Sequence, residues 1–240
     1  GIHDSLVAWW RFEPGSVFRQ DERSLRYHLS GLYPQLMAGK IGQTALNVFY
    51  GTSASWSLAE EQRCSTLIES NVFSASAWVK LSANAWNPAY ATGQYATVVS
   101  DLAQNSANYR GFFLGCSRAD TNLTFILSSP IGPVALTAGF QDQVGSWAHL
   151  AATYDGSQAV LYLNGTEVDR DTVQFVPANV GDGLGVGKKV NGQPVDGWVG
   201  GIDEVRIYTA ALSSNVIAEM VAATDEAQVP DTDGDGIPNW

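Results

Sequence analysis

The sequence predicts an all-β sandwich with one short helix near its C-terminal end, and three observations support this. Short apolar segments with period-2 alternation recur along the chain, separated by Gly, Asn, Asp, Pro and Ser, as in antiparallel sandwiches and barrels. The 240 residues are 45% hydrophobic and 15% charged, which is enough to bury one large core. Helical spacing is visible in one segment near the end of the chain.

The predicted strands are short and follow one another along most of the chain. They are Leu6–Phe12, Ala45–Phe49, Ala77–Leu81, Thr97–Leu102, Gly111–Gly115, Leu123–Leu127, Val134–Ala138, Ser146–Tyr154, Ala159–Leu163, Gly183–Gly187 and Gly197–Tyr208. Asn164-Gly165 lies between two alternating segments and supplies the positive φ values of a type I′ turn. We therefore expect a hairpin over 158–168.

The segment Ala210–Ala223 predicts the helix. Leu212, Val216 and Met220 recur at its helical spacing, and Ser213 or Ser214 is available as the N-cap. The polar, proline-ending stretch after residue 223 has no apolar period and predicts a linker. The sequence thus predicts one β-sandwich domain over 1–223 and a separate tail over 224–240.

The charge balance excludes two classes of partner. Against 13 Lys and Arg stand 24 Asp and Glu, a net charge of -11, which repels nucleic-acid phosphates and anionic lipid surfaces. No apolar stretch approaches the ~20 residues that cross a bilayer. The first four residues lack the basic and apolar regions of a signal peptide, as expected of a mature chain. Cys64 and Cys116 are compatible with one disulfide or with two buried thiols.

The segment Gly200–Tyr208, followed by Ala-Leu-Ser at 211–213, closely resembles the closing signature of laminin G-like, concanavalin A-like jelly-roll domains of bacterial extracellular proteins. Leu6–Glu13, Ala75–Val79 and Trp147–Asp155 fit the same family in the expected order. The resemblance implies a two-sheet antiparallel jelly roll. It also implies a secreted or cell-surface location, beside other modules of the same parent chain.

The resemblance implies a structural calcium ion. On strand alternation we expect Asp203 to share the inward face with Val205 and Ile207. A buried carboxylate needs a metal, a cation or several N–H donors. The family often binds Ca²⁺ here, and the matching positions are Glu13, Asp21 and Asp203. The alternative is that Asp203 accepts hydrogen bonds from loop amides alone.

The tail contains a second calcium-type pattern. Asp231, Asp233 and Asp235 occupy alternate positions before Gly236, as in the first half of a calcium loop. This segment resembles the start of a thrombospondin type 3 repeat, so we expect Ca²⁺ as the cofactor of the tail too.

Two polar loops have the chemistry of sugar binding, in which flat aromatic faces stack on pyranose rings beside amide groups. The alternative is that their aromatic residues close the end of the core. The candidate ligand-binding residues are Trp86, Asn87, Tyr90, Gln94 and Tyr95 in one loop and Asn191 and Trp198 in the other. Trp9, Trp78 and Trp147 lie within strand patterns, and we expect them in the core.

No constellation typical of hydrolases, lyases or phosphate-binding enzymes is visible in the sequence. We therefore expect a non-catalytic carbohydrate-binding module that binds a polysaccharide or other glycan and is stabilised by calcium. The alternative is an adhesion or spacer domain that binds a protein ligand. A polysaccharide-degrading enzyme is the less favoured interpretation.

Overall fold

The computed structural model describes residues 5–14, 29–30, 35–48, 56–58, 71–86, 93–105, 108–177, 184–187 and 197–223. Their strands, in chain order, are β1 (Leu6–Trp10), β2 (Leu29–Ser30), β3 (Gln35–Ala38), β4 (Thr44–Val48), β5 (Trp56–Leu58), β6 (Phe73–Leu81), β7 (Tyr95–Ser100), β8 (Ala103–Asn105), β9 (Asn108–Arg110), β10 (Phe112–Ser117), β11 (Asn122–Ser129), β12 (Gly132–Gly139), β13 (Trp147–Tyr154), β14 (Gln158–Leu163), β15 (Thr166–Thr172), β16 (Gly185–Val186) and β17 (Gly200–Tyr208). One α-helix, α1, spans Ser214–Ala222, and short 3₁₀ helices span Ala83–Trp86 and Gln141–Gln143.

Two large antiparallel sheets form the sandwich. The first has the order β15-β14-β13-β6-β17-β4-β3, with β1 also paired to β17, and the second has the order β12-β11-β10-β7-β16-β5-β2. Strands β8 and β9 form a separate small ribbon. The predicted jelly-roll sandwich with one C-terminal helix is confirmed.

The main core lies between the two sheets. Alternation along β6 sends Ala75, Ala77, Val79 and Leu81 into it. An aromatic cluster fills one part of the core, with the Phe73 ring centroid 5.0 Å from that of Phe112 and 5.3 Å from that of Phe175. The sheets are therefore held together by interdigitated apolar side chains from both inner faces.

The two local predictions are confirmed. Asn164 and Gly165 have φ values of 50° and 82° and join β14 to β15, as a type I′ turn requires. The side chain of Ser213 accepts a hydrogen bond from the Val216 N–H and caps α1. The first sheet also has an edge strand that was not predicted, β3, on which Leu36 is 39% exposed.

Helix α1 covers one end of the outer face of the first sheet. A second apolar cluster fills the space between them, and it includes Trp9, Tyr162, Tyr208, Ile217 and Met220. Since a sheet of this kind has two faces, the helix turns part of the outer face into a second core.

Cys116 is a free, buried thiol. Burial raises the pKa of Cys116 far above its usual value. Cys64 lies outside the described residues. In the part of the chain that the structure describes, no helix is long and apolar enough to cross a membrane.

Candidate functional site

Strand β17 changes partner half-way along its length. Residues Gly200–Ile202 pair with β4, whereas the residues from Val205 onward pair with β1. The register with β6 shifts between Asp203 and Arg206, and Glu204 has a φ of 52° in the left-handed region. This β-bulge therefore inserts one extra residue at the point where β1 and β4 approach each other.

The bulge corrects the predicted orientation of Asp203. Directly opposite residues of an antiparallel pair share a face. Ile207 lies opposite Ala75, a residue of the main core, but Asp203 lies opposite Trp78 on the outer face. Asp203 is thus fully buried on the other side of the sheet from Val205 and Ile207, because the extra residue at Glu204 breaks the alternation.

Two carboxylates hold the turn that joins β3 to β4. Asp203 Oδ2 accepts hydrogen bonds from the N–H groups of Lys40, at 2.8 Å, and Ile41, at 3.1 Å. Glu13 accepts from the Gln43 N–H at 3.0 Å. Gly42 has a φ of 67°, and a Cβ there would lie 2.1 Å from Glu13 Oε1, so the carboxylate fills the space of a side chain. Two of the three predicted calcium ligands therefore meet at one turn.

The other oxygen of Asp203, Oδ1, is buried and has no hydrogen-bond partner among the described residues. Burial and the neighbouring Glu204 carboxylate raise the pKa of Asp203 to about 8, against the two backbone donors. A proton or a cation at Oδ1 would relieve this cost. The unpartnered oxygen fits a hard cation such as Ca²⁺, which binds carboxylate and carbonyl oxygens.

The described residues do not complete a metal site by themselves. Among them, no three His, Cys, Asp or Glu side chains are grouped as metal ligands. Asp21, the third predicted ligand, lies outside the described residues, as do Asp231, Asp233 and Asp235 of the tail. The calcium sites remain predictions.

Glu204 belongs to a buried ionic network beside Asp203. Its carboxylate accepts a hydrogen bond from the Trp9 indole N–H at 2.8 Å and pairs with the Arg206 guanidinium. Arg11 Nε lies 3.8 Å from Glu204 Oε1. The guanidinium groups of Arg206 and Arg11 lie 4.7 Å and 5.1 Å from the Trp9 ring centroid. Burial raises the pKa of Glu204, whereas Arg206, Arg11 and Trp9 lower it. Unlike Asp203, Glu204 thus has cationic partners.

His149 lies on the same face, packed edge-on against Trp78 with ring centroids 5.3 Å apart. Burial and the charge of Arg206 lower the pKa of His149 to about 3. His149 is thus a buried, packed side chain whose lowered pKa disfavours the charged form.

A second notable region lies at the end of the sandwich where the two predicted sugar-binding loops begin and end. One loop runs from β6 of the first sheet to β7 of the second, and the other returns from β16 to β17. The Ser82 N–H donates to the Val199 carbonyl at 2.8 Å, and Thr97 forms a parallel bridge to Gly197. The ends of both loops are therefore adjacent.

Arg118 joins these loop ends. Its guanidinium donates to the backbone carbonyls of Tyr95, at 3.0 Å, and Gly197, at 2.6 Å, and also to that of Ala85. Its own N–H donates to the Gln94 carbonyl at 2.8 Å. One side chain thus fixes three backbone segments. Sequence reasoning missed it, because hydrogen bonds to backbone carbonyls leave no mark on the identities of their partners.

The predicted sugar-binding residues differ in their placement. Trp86 ends the 3₁₀ helix Ala83–Trp86, and Gln94 is exposed at the start of β7. Tyr95 is half-buried, with its ring centroid 5.1 Å from that of Phe113. Trp198 is 1% exposed, and its indole N–H donates to the Gly201 carbonyl, so it takes the core-closing role that was the alternative. Asn87, Tyr90 and Asn191 lie outside the described residues.

The three tryptophans predicted to lie in strands also differ in their burial. Trp9 and Trp78 are buried as expected, but Trp147 is only half-buried, on the outer face of the first sheet. The core prediction is therefore wrong for Trp147, because alternation assigns a residue to a face without showing whether anything covers that face.

Comparison with known families identifies the domain. The family model described as the concanavalin A-like lectin/glucanases superfamily, of laminin G type, matches residues 51–218. The chain belongs to this family. Its closing signature over β17, including the bulge at Glu204, lies within the matched range. No curated protein sequence matches this chain significantly.

Solved structures of the same fold include domain 4 of AbnA, an extracellular arabinanase from Geobacillus stearothermophilus, in complex with arabinotriose. The likeness has a TM-score of 0.67 at 22% identity and covers 90% of this chain and 98% of that domain.

Two toxin binding domains are also similar. The binding domain of Paraclostridial Mosquitocidal Protein 1 has a TM-score of 0.65 at 16% identity over 92% of this chain. The binding domain of Botulinum Neurotoxin DC, in complex with SialylT, has a TM-score of 0.64 at 14% identity over 93% of this chain. This chain spans 52% of each. At these identities the likeness concerns the fold.

Proposed function

We propose that this domain is a non-catalytic carbohydrate-binding module of a larger secreted or cell-surface protein. The observation that carries the proposal is the Arg118 junction, because it holds the ends of two aromatic- and amide-containing loops side by side. A pre-positioned pair of loops lowers the cost of ordering a binding site. The family and the arabinotriose complex of a similar domain support glycans as the ligand class.

In this proposal Trp86 and Tyr90 supply stacking faces, and Asn87, Gln94 and Asn191 supply amide groups for sugar hydroxyls. Arg118 is a positioning residue, since each of its three guanidinium nitrogens donates a hydrogen bond to a backbone carbonyl. Trp198 supports the second loop from within the core.

The test is binding of the purified chain to a panel of polysaccharides. We expect Trp86→Ala to abolish saturable binding and Arg118→Gln to weaken it, with the protein still folded. Arg170→Gln is the matched control, because Arg170 lies on the exposed edge strand β15 and pairs with Glu167 there. Full glycan binding by Trp86→Ala and Arg118→Gln together would contradict the loop site.

Calcium is proposed as the structural cofactor at Glu13, Asp21 and Asp203. The unpartnered Asp203 Oδ1 supports this proposal. Bound Ca²⁺ would supply positive charge to an otherwise uncompensated buried carboxylate. We expect calcium to raise the melting temperature of the wild type and to have little effect on Asp203→Asn, since a ligand stabilises only the state that binds it. Asp171→Asn, on the exposed edge strand β15 and outside both predicted calcium sites, is the matched control and should keep the calcium response.

The alternative is an adhesion or spacer domain that binds a protein ligand. The exposed edge strand β3, with Leu36 39% exposed, favours this alternative, because an open edge can pair with a strand of another protein. If no glycan binds while calcium still stabilises the domain, the adhesion or spacer function becomes the better account.

A further inference from the structure

A row of five residues crosses the open end of the outer face of the first sheet. Trp147 on β13 is paired with Lys80 on β6, and Lys80 with Gly201 on β17. Gly201 is paired in turn with Asn47 on β4, and Asn47 with Gln35 on β3. Because directly paired residues share a face, all five lie on one side of the sheet. Four strand spacings make the row about 19 Å long.

Gly201 leaves room in the row for the side chain of Trp147. A Cβ at Gly201 would lie 2.7 Å from the Trp147 Cη2 atom and 2.9 Å from the Met37 sulfur. The Trp147 indole therefore reaches across β6 and lies over the backbone of β17, in space that a larger residue would occupy. Trp147, Lys80 and Asn47 are half-buried, and Gln35 is exposed. A partly exposed aromatic side chain thus lies beside one ammonium and two amides.

The row carries a cation, Lys80, in a strongly acidic protein. The four lysines of the chain are Lys40, Lys80, Lys188 and Lys189, and two of them lie on this face. Lys80 belongs to the row, and the Lys40 ammonium lies 4.7 Å from the ring centroid of Trp78, the next outward residue along β6. The row itself contains no carboxylate, and Asp203, two residues from Gly201 on the same face, is fully buried. Charge complementarity therefore favours an anionic ligand.

We propose that this row binds an acidic polysaccharide, with Trp147 stacking on a sugar ring and Lys80 pairing with an acidic substituent. Asn47 and Gln35 hydrogen-bond to hydroxyls further along the glycan chain. An extended ligand suits a site that crosses five strands. The row is distinct from the two loops and shares with the proposed function only the class of ligand.

The experiment measures binding of the intact chain to polygalacturonate, to dextran as a neutral control and to dextran sulfate as a sulfated one. Trp147→Ala and Lys80→Gln should each weaken polygalacturonate binding about tenfold. Trp147→Phe should keep most of the affinity, since it retains an aromatic face. Added salt should weaken binding of the wild type more than that of Lys80→Gln. Melting temperatures exclude unfolding as the cause, and Lys80→Gln, at a half-buried site, serves if Trp147→Ala does not fold.

The outcomes separate this inference from the loop site. If Trp147→Ala and Lys80→Gln lose polygalacturonate while Trp86→Ala keeps it, the row is a binding site whatever the loops do. If Trp86→Ala loses all glycans and the row variants keep them, the inference is overturned and the loop site stands. Absence of wild-type binding to polygalacturonate overturns the inference. So does dextran sulfate binding that depends on Lys80 but not on Trp147, which would indicate attraction to any polyanion.

Discussion

The two ends of the outer face of the first sheet are built from the same strands but have opposite characters. At one end α1 covers the face, and Ile217 and Met220 pack with Trp9 and Tyr208 in a dry cluster. At the other end Trp147, Lys80 and Asn47 are half-buried and Gln35 is exposed, while Gly201 lies buried beneath Trp147 and Met37. One face of one sheet thus stabilises the domain at one end and presents polar and aromatic groups at the other. Between the two ends lies the buried charge of Asp203 and Glu204.

The largest effect on the free energy of unfolding is expected at Glu204, which lies next to the end of the face that α1 covers. Glu204→Gln leaves Arg206 buried without its carboxylate, and we expect the free energy of unfolding to fall by about 3–5 kcal/mol. Urea denaturation measures this loss. Glu167→Gln is the matched control at the exposed pair with Arg170, whose side chains are 37% and 52% exposed, and it should cost under about 1 kcal/mol. Equal losses would show that the Glu204 network is not essential.

The two methionines of the chain compare the two ends directly. Met220, 1% exposed, packs in the cluster beneath α1, whereas Met37 flanks Gly201 at the open end and is half-buried. We expect Met220→Ala to lower the free energy of unfolding by about 2–4 kcal/mol and Met37→Ala by about 1 kcal/mol or less. If Met37→Ala costs as much as Met220→Ala, the open end is a packed core.

The pH dependence tests the charge between the two ends. Because the pKa of Asp203 in the folded state is raised from 3.8 to about 8, the folded state binds the proton more tightly than the unfolded state. In chelator, its contribution to stability is therefore complete below pH 3.8 and is lost as the pH rises towards 8. The slope is at most about 1.4 kcal/mol per pH unit.

Asp203→Asn should remove this fall in stability with rising pH. In chelator, the variant should therefore become more stable relative to the wild type between pH 5 and pH 7. Thermal unfolding at the two pH values measures the difference. His149 acts in the opposite direction, because its lowered pKa costs stability as the pH falls below 6.5. A constant difference between Asp203→Asn and wild type would show that Asp203 is ionised at both pH values.

The smallest effect is expected at the start of α1. Ser213 Oγ accepts the Val216 N–H at 3.4 Å, and Ser213→Ala should cost about 1 kcal/mol. Ser214→Ala, one residue further along, is the matched control and should have less effect, because Ser214 is the first helical residue and not the cap. Chemical denaturation of both variants decides which serine matters.

The elements that sequence patterns predicted are those set by local chemistry. Asn164-Gly165 requires its turn wherever it occurs, and Ser213 caps α1 through its own side chain. The signature over Gly200–Tyr208 indicates the family through adjacent residues of a single strand. Each of these features depends on residues close together in the chain.

The features that the sequence did not predict depend on distant parts of the chain. Glu204 adopts a positive φ because β17 changes partner from β4 to β1 there, and no neighbouring residue indicates this. Trp147 is only half-buried because α1 covers the other end of its face. Strand alternation is the same at the covered and at the uncovered end, so it does not indicate which outer residues are covered. Arg118 reaches carbonyls of three segments, which any residue could supply. The sequence therefore indicated the two candidate loops, but not the Arg118 hydrogen bonds that hold their ends together.

The pairing of β1 with β17 has a consequence for how the domain is made. Leu6 lies opposite Tyr208, so the first described strand of the domain pairs with the last described one. Contacts this far apart in sequence are slow to form. During synthesis β1, with Trp9 and Trp10, has no β17 to pair with until residue 208 has been added, and apolar segments without their native partner are prone to misassociation. Translation therefore has to finish this domain before the domain can close.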